Sequence, residues 1–182
     1  AAPAELATAA CEPLLAQGVR MRDALLGELS ALPGLEIGVA DAGLAPLPEP
    51  PPMQATGTAV RRLSTTGVAD LAPWLRAQQA MFDLVWVIAP ETDNCLLTLC
   101  EAVAPARWVG CSADAIRVAS SKTRTRERLA AHGVPVPAAW APALPAPTRP
   151  GRWVLKPDDR PGSPPTRVAT TGRRAAIASS TA

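Results

Sequence analysis

Histidine, tyrosine and phenylalanine are nearly missing from this 182-residue chain, which has one His, no Tyr and one Phe. The lone histidine, His132, argues against a Ser-His-Asp triad and against a histidine-based zinc site. The four cysteines, Cys11, Cys95, Cys100 and Cys111, show no C-x-x-C spacing, which argues against a cysteine-based zinc site as well. The sequence therefore predicts no catalytic histidine and no metal ligands of its own.

Long apolar runs are missing too. No stretch approaches the roughly 18 apolar residues that suggest a membrane-spanning helix, and no secretory segment is recognisable. Cys95 and Cys100 are flanked by apolar residues and are expected to be small buried hydrophobes rather than nucleophiles. Together these features predict a reduced, cytoplasmic, soluble protein without a membrane partner.

A strong net charge is also missing, because 18 Lys+Arg and 16 Asp+Glu leave only +2. Such a small charge, carried by scattered arginines, argues against a nucleic-acid partner. No G-x-G-x-x-G turn follows the first predicted strand, which argues against a dinucleotide-binding oxidoreductase.

The apolar pattern predicts helices and strands in alternation. The predicted helices lie at about residues 5–32, 68–80, 96–103 and 112–118, and the predicted strands at 35–39, 83–89 and 108–110. The segment 41–57 is rich in proline and is predicted to be an exposed loop. Residues 83–89 form a near-continuous apolar run, as in a strand buried on both faces of a parallel sheet. This order predicts an α/β fold, with a right-handed parallel sheet and helices on both of its faces.

The loop after the 83–89 strand carries two carboxylates, Glu91 and Asp93, on either side of Thr92. In parallel α/β sheets, ligands gather beyond the carboxyl ends of the strands, so Glu91 and Asp93 are candidates for the substrate side of a site. The alternative is that Thr92 and Asp93 only cap the helix that follows.

Lysine is the scarcest cation, since only Lys122 and Lys156 are lysine among the 18 Lys+Arg. Lys122 lies where serine and threonine can cap a helix predicted over 124–131, and Lys156 ends an apolar strand predicted over 152–157. An ammonium group is a compact point charge that suits a phosphate. These placements make the two lysines candidate phosphate ligands; the alternative is that both are ordinary solvated side chains.

Several stretches between residues 83 and 163 resemble the ATP-grasp superfamily of carboxylate–amine ligases, most closely its tyramine–glutamate ligase branch. The resemblance covers roughly residues 12–163. The stretches that carry it are Ile88-Ala89-Pro90-Glu91-Thr92-Asp93, Gly110-Cys111-Ser112, Ser120-Ser121-Lys122, the run Leu129 to Pro137, and Val154-Leu155-Lys156-Pro157.

The resemblance implies a pre-ATP-grasp α/β domain over residues 1–111 and a partial ATP-grasp nucleotide-binding lobe over 112–171. Residues 172–182 lack the pattern of a packed element and are expected to be a disordered tail. It also implies that Lys122 and Lys156 contact the phosphates of ATP, while Gly162 and Ser163 belong to the loop that covers them. The implied reaction converts a carboxylate to an acylphosphate that an amine then attacks, with Mg²⁺ as the metal ion. Relatives of that branch occur in methanogens and in methylotrophs that use methanofuran-type one-carbon cofactors, so the resemblance implies a role in one-carbon cofactor biosynthesis.

This chain departs from the pattern at Arg160-Pro161, where small, glycine-rich residues are expected, and no Asp or Glu follows Asp159. We therefore expect a truncated N-terminal portion that does not turn over, whose magnesium ligands would come from a missing C-terminal part. The expected partners are a nucleotide and a small amino-acid or amine substrate, with a homodimer as an allowed assembly. The alternative is a non-catalytic α/β module used for binding or assembly.

Overall fold

A computed structural model of the protein describes residues 12–43, 45–46, 58–65, 67, 71–140, 151–156, 158 and 167–171. Two units are distinguished by their internal contacts. The first comprises Ala1–Pro90 with Cys95–Ala113, and the second comprises Glu91–Asn94 with Asp114–Ala182. The domain boundary after residue 111 stays a prediction, and the predicted disordered tail lies outside the described residues.

The first unit begins with helix α1, Glu12–Ser30. The chain leaves the helix through Pro33 and Gly34, whose φ of 75° lies in the left-handed region that glycine adopts without strain. Strand β1, Glu36–Asp41, follows. The predicted helix and strand are therefore confirmed over the described residues.

Strand β2, Ala59–Ser64, pairs in parallel with β1, from Glu36 opposite Ala59 to Asp41 opposite Ser64. The pairing of Asp41 with β2 is reinforced by an ion pair to Arg62, with Nε and Oδ2 3.0 Å apart. The sequence analysis did not predict β2. Its segment contains two adjacent arginines and too few apolar residues to show the alternation of a half-buried strand.

The main core of the first unit lies between two short helices and a second strand pair. Helix α2, Leu71–Gln78, continues into a 3-10 helix, Gln79–Met81, and helix α3 spans Cys95–Glu101. Strand β3, Val85–Trp86, pairs in parallel with β4, Trp108–Val109. The buried residues of this core are Leu75, Leu99, Ala102 and Val103. Leu75 and Leu99 lie on α2 and α3, two of the predicted helices, and Ala102 and Val103 follow directly after α3.

The prediction that residues 83–89 are buried on both faces is wrong. Val85, Val87 and Ala89 pack against the core, whereas Leu84 is 67% and Trp86 is 56% exposed. Successive side chains of an extended chain point to opposite faces, so only one face of this segment packs against the described core. Of the two cysteines expected to be buried, Cys100 is buried and Cys95 is half-buried against the same core.

The second unit contains helix α4, Ala113–Ala119, except for its first residue, which belongs to the first unit. It also contains helix α5, Lys122–Ala131, and two strands, β5, Gly151–Leu155, and β6, Arg167–Thr171. The two strands pair antiparallel. The described strands thus form three two-stranded sheets, of which two are parallel. The predicted α/β class is confirmed, with short parallel strand pairs, whereas the described strands do not form the one parallel sheet with helices on both faces that the sequence predicts. No helix within the described ranges has both the length and the apolarity needed to cross a membrane.

Candidate functional site

The candidate site in the second unit starts at the first turn of α5. Ser121 is the N-cap of this helix, and its hydroxyl oxygen accepts a hydrogen bond from the Arg124 amide at 3.1 Å. Thr125 fastens the same turn to the preceding helix, since its hydroxyl donates to the Val118 carbonyl at 2.8 Å. The predicted capping by serine is therefore confirmed, and the helix begins two residues before the predicted start at residue 124.

The C-terminal end of α5 is capped by a motif that contains Gly133. The Gly133 amide donates to the Ala130 carbonyl, and the Val134 amide donates to the Leu129 carbonyl, both at 3.0 Å. This pair of bonds is a Schellman motif, and it requires the left-handed backbone that Gly133 supplies with its φ of 74°. Helix α5 thus has defined ends on both sides, which fixes where its first residues lie.

Asp158 binds the three residues at the start of α5. Its carboxylate accepts a hydrogen bond from the Ser121 hydroxyl at 2.6 Å and another from the Thr123 amide at 2.8 Å. Its backbone carbonyl accepts from Lys122 twice, from the amide at 3.2 Å and from Nζ at 3.0 Å. A single residue, Asp158, which follows β5 in the sequence, therefore holds Ser121, Lys122 and Thr123 together.

These contacts favour the ionised form of Asp158. The pKa of its carboxyl is lowered from the ordinary value of 3.8, chiefly by the hydrogen bond from the Ser121 hydroxyl. Hydrogen bonds from Thr123 and the positive charge of Lys122 lower it further, while partial burial acts in the opposite direction. The start of α5 is thus an environment that stabilises a negatively charged oxygen, as the helix dipole also predicts.

A cavity of about 180 Å³ adjoins this contact. All of its lining residues belong to the second unit, and they are Glu91, Asn94, Arg117, Ser120, Ser121, Arg124 and Asp158. Arg117 forms an ion pair with Asp114, with Nη1 and Oδ1 2.5 Å apart. The cavity therefore presents carboxylates and guanidinium groups side by side.

The two predicted substrate carboxylates are placed differently. Glu91 lines the cavity, and Asp93 is not among its lining residues. Asp93 and Asn94 have left-handed backbones, with φ values of 52° and 56°, a conformation that these two residue types tolerate better than most. The sharp turn they form precedes α3, so the alternative of a purely structural role remains open for Asp93.

The two lysines lie near the same backbone segment. Lys122 contacts Asp158 directly, and it also borders a second cavity of about 310 Å³ formed with residues of α5 and with Val136 and Pro137. Lys156 follows the last residue of β5 and is exposed. Its Cα lies within about 7 Å of the Asp158 Cα, because two residues of chain can span no more. The predicted loop residues Gly162 and Ser163 lie outside the described residues.

Asp158, the residue on which these contacts converge, was not among the site residues predicted from the sequence. The residues that it binds precede it by 35 to 37 positions. No local spacing relates the two segments. Among the described residues, no group of three or more His, Cys, Asp and Glu side chains is arranged to hold a metal ion.

Comparison with known proteins adds a family relationship for part of the chain. Neither the curated proteins nor the solved structures gave a significant match. Residues 42–116, which include β2, α2, β3, α3 and β4, match the family model of the pre ATP-grasp 3 domain. This segment is therefore similar to a pre-ATP-grasp domain, and the match supports an ATP-grasp-related, ligase-type protein.

Proposed function

We propose that this protein takes part in ATP-dependent ligation of a carboxylate to an amine, in the manner of the tyramine–glutamate ligase branch. The pre-ATP-grasp match over residues 42–116 supports the ligase type. The observation that carries the nucleotide-binding part is the contact of Lys122 Nζ with the Asp158 carbonyl at 3.0 Å, two residues after Lys156. It puts the chain's two lysines beside one short backbone segment.

The donors of this segment fit a phosphate through their charge. Lys122 and Lys156 are both exposed, and their two ammonium groups can together offset the charge of a polyphosphate. The hydroxyl of Ser121 and the amide of Thr123 already donate to the Asp158 carboxylate. In this arrangement the lysine side chains, and not the amide groups of the helix, are the phosphate ligands.

When bound, ATP would supply the phosphoryl group that activates a carboxylate for attack by an amine, with Mg²⁺ offsetting charge. The chain's own contribution is to bind and orient. Lys122 and Lys156 would hold the phosphates. In the adjoining cavity, Glu91 suits an ammonium group and Arg124 suits a carboxylate, the two groups of an amino acid. The most specific part of the proposal is that the ligation product is incorporated into a one-carbon cofactor.

Calorimetric titration with a non-hydrolysable ATP analogue, with and without Mg²⁺, tests the proposal. Lys122→Ala and Lys156→Ala should each weaken binding about tenfold or more, because a hydrogen bond to a charged group contributes about 1.5–3 kcal/mol. Arg128→Ala is the matched control, since it removes one positive charge from the last turn of α5 and should change affinity little. Unchanged affinity in both lysine variants would refute the assignment.

The same titration on a polypeptide extended through the downstream reading frame tests whether further residues are needed to complete the nucleotide site. Binding by the extended polypeptide only would mean that further residues complete the site.

A non-catalytic α/β module is the second candidate function. The observation in its favour is the Asp158 contact itself, because four hydrogen bonds between the end of β5 and the start of α5 are also what a purely structural junction would have. Nucleotide affinity that is independent of Mg²⁺ and of both lysines would favour this candidate.

A further inference from the structure

Helix α5 is held in the second unit by polar contacts. It has no buried residue, and hydrogen bonds from its first turn reach α4, through Thr125, and Asp158. Apolar packing therefore does little to fix the rotation and position of its first turn. What fixes them is a small number of hydrogen bonds, of which Asp158 provides the most distant in sequence.

The hydrogen bonds of Asp158 involve Lys122 and both of its neighbours in the sequence. The residue before this lysine and the residue after it both donate to the carboxylate, and the lysine itself donates to the carbonyl. Side chain and backbone of Asp158 are therefore both engaged, which leaves the end of β5 little freedom to slide or turn against α5. The backbone that carries Lys156 is held by the same contact, because it lies only two residues earlier.

We propose that Asp158 is a positioning residue that sets the spacing between Lys122 and Lys156, so that both ammonium groups act on one polyphosphate. The proposal rests on the proposed nucleotide site, but it assigns a role to a residue that touches no phosphate itself. Without the carboxylate contact, each lysine keeps its charge and the pair loses its fixed separation. The pair then binds as two independent mobile charges, which lose more entropy on binding.

A binding cycle with the non-hydrolysable ATP analogue tests this role. Asp158→Ala should weaken binding about tenfold, comparable with the loss of one lysine contact. In the Asp158→Ala background, Lys156→Ala should cost little more, because the cooperation it removes is already lost; coupled residues give such non-additive effects. Asp158→Asn keeps an oxygen that accepts from the Thr123 amide and should restore part of the affinity.

Glu127→Gln is the matched control. It removes one negative charge from α5, where Glu127 is 62% exposed and its Oε1 lies 3.7 Å from Arg126. It should leave the affinity unchanged, both alone and when combined with Lys156→Ala. Circular dichroism and thermal unfolding show whether each variant is folded. If Asp158→Ala is not folded, Asp158→Asn replaces it in the binding cycle.

The outcomes separate this role from the proposed function. If the lysine variants weaken binding but the effects of Asp158→Ala and Lys156→Ala simply add, the nucleotide site stands and the positioning role is refuted. Tighter binding by the Asp158 variants would also refute it, because the carboxylate would then be a competitor of the phosphate. If the analogue binds neither the wild-type protein, nor any variant, nor the extended polypeptide, the proposed function fails and the positioning role fails with it.

Discussion

The core of the first unit and the α5 junction of the second are stabilised by different interactions. Leu99 and Val103 are 4% and 5% exposed and lie in a cluster with two helices and a strand pair packed around it. In contrast, α5 has no buried residue, and Asp158 holds its start by hydrogen bonds between exposed or half-buried groups. The first region depends on removal of apolar surface from water, and the second on a few directional contacts.

This difference has energetic consequences. Full burial of a large aliphatic side chain contributes about 1.5–3 kcal/mol, whereas one hydrogen bond contributes about 0.5–1.5 kcal/mol because water competes for the same groups. Damage to the core should therefore affect the stability of the first unit as a whole. Damage to the junction should be smaller, local and sensitive to charge.

The largest effect is expected from Leu99→Ala, which leaves a cavity in the core of the first unit. It should lower the free energy of unfolding by about 2–5 kcal/mol, measured by urea denaturation. Leu84→Ala is the control, since Leu84 is 67% exposed and its truncation should change the free energy by no more than about 0.5 kcal/mol. Equal effects of the two variants would contradict the described core.

An intermediate effect is expected from Gly38→Ala in β1. A Cβ at this position would lie 2.6 Å from the Phe82 ring and 2.8 Å from Leu63 Cδ1, so the neighbours must shift, at a cost of about 1–3 kcal/mol. Gly27→Ala in α1 is the matched control. It meets no atom within 4 Å and should raise stability by about 0.5–1 kcal/mol, because alanine favours the helix interior. Thermal unfolding of both variants gives the comparison, and a stabilising Gly38→Ala would contradict the packing of Phe82 on β1.

The smallest effect is expected from protonation of Asp158. Its pKa is lowered in the folded protein, so its contribution to stability is fully present above the unfolded value of 3.8. The contribution is lost as the pH falls through the lower folded value. The charged groups that line the same cavity are Glu91, Arg117 and Arg124, and Lys122 contacts Asp158 directly. An NMR titration of the Asp158 carboxyl carbon should therefore give a midpoint below 3.8.

The stability difference between the wild-type protein and Asp158→Asn supplies the thermodynamic check. It should be constant at neutral pH and shrink towards zero in acid. A difference that grows on acidification would have the wrong sign for a carboxylate stabilised in its ionised form.

Elements with a strong local signal were predictable. The repeat of apolar residues indicates α1 and α3, and the serine before Lys122 together with Gly133 marks the ends of α5. Strand β2 gave no such signal, because Arg61 and Arg62 interrupt its alternation, and its pairing with β1 joins segments that are distant in sequence. The apolar run 83–89 gave a misleading signal. Its composition suggests burial on both faces, but burial depends on what packs against each face.

The residues of the candidate site also differ in how clearly the sequence identifies them. Lys122, Lys156 and Glu91 stood out from the sequence through rarity and placement, and the structure puts Lys122 and Lys156 beside Asp158 and puts Glu91 in the adjoining cavity. Asp158 and Arg117 did not stand out, because an acidic residue in a turn and an arginine on a helix are common. The sequence alone therefore determines the helices, their caps and the chemistry available to the chain. Only the tertiary structure decides which strands pair and which carboxylate meets α5, because those contacts join segments that no local pattern relates.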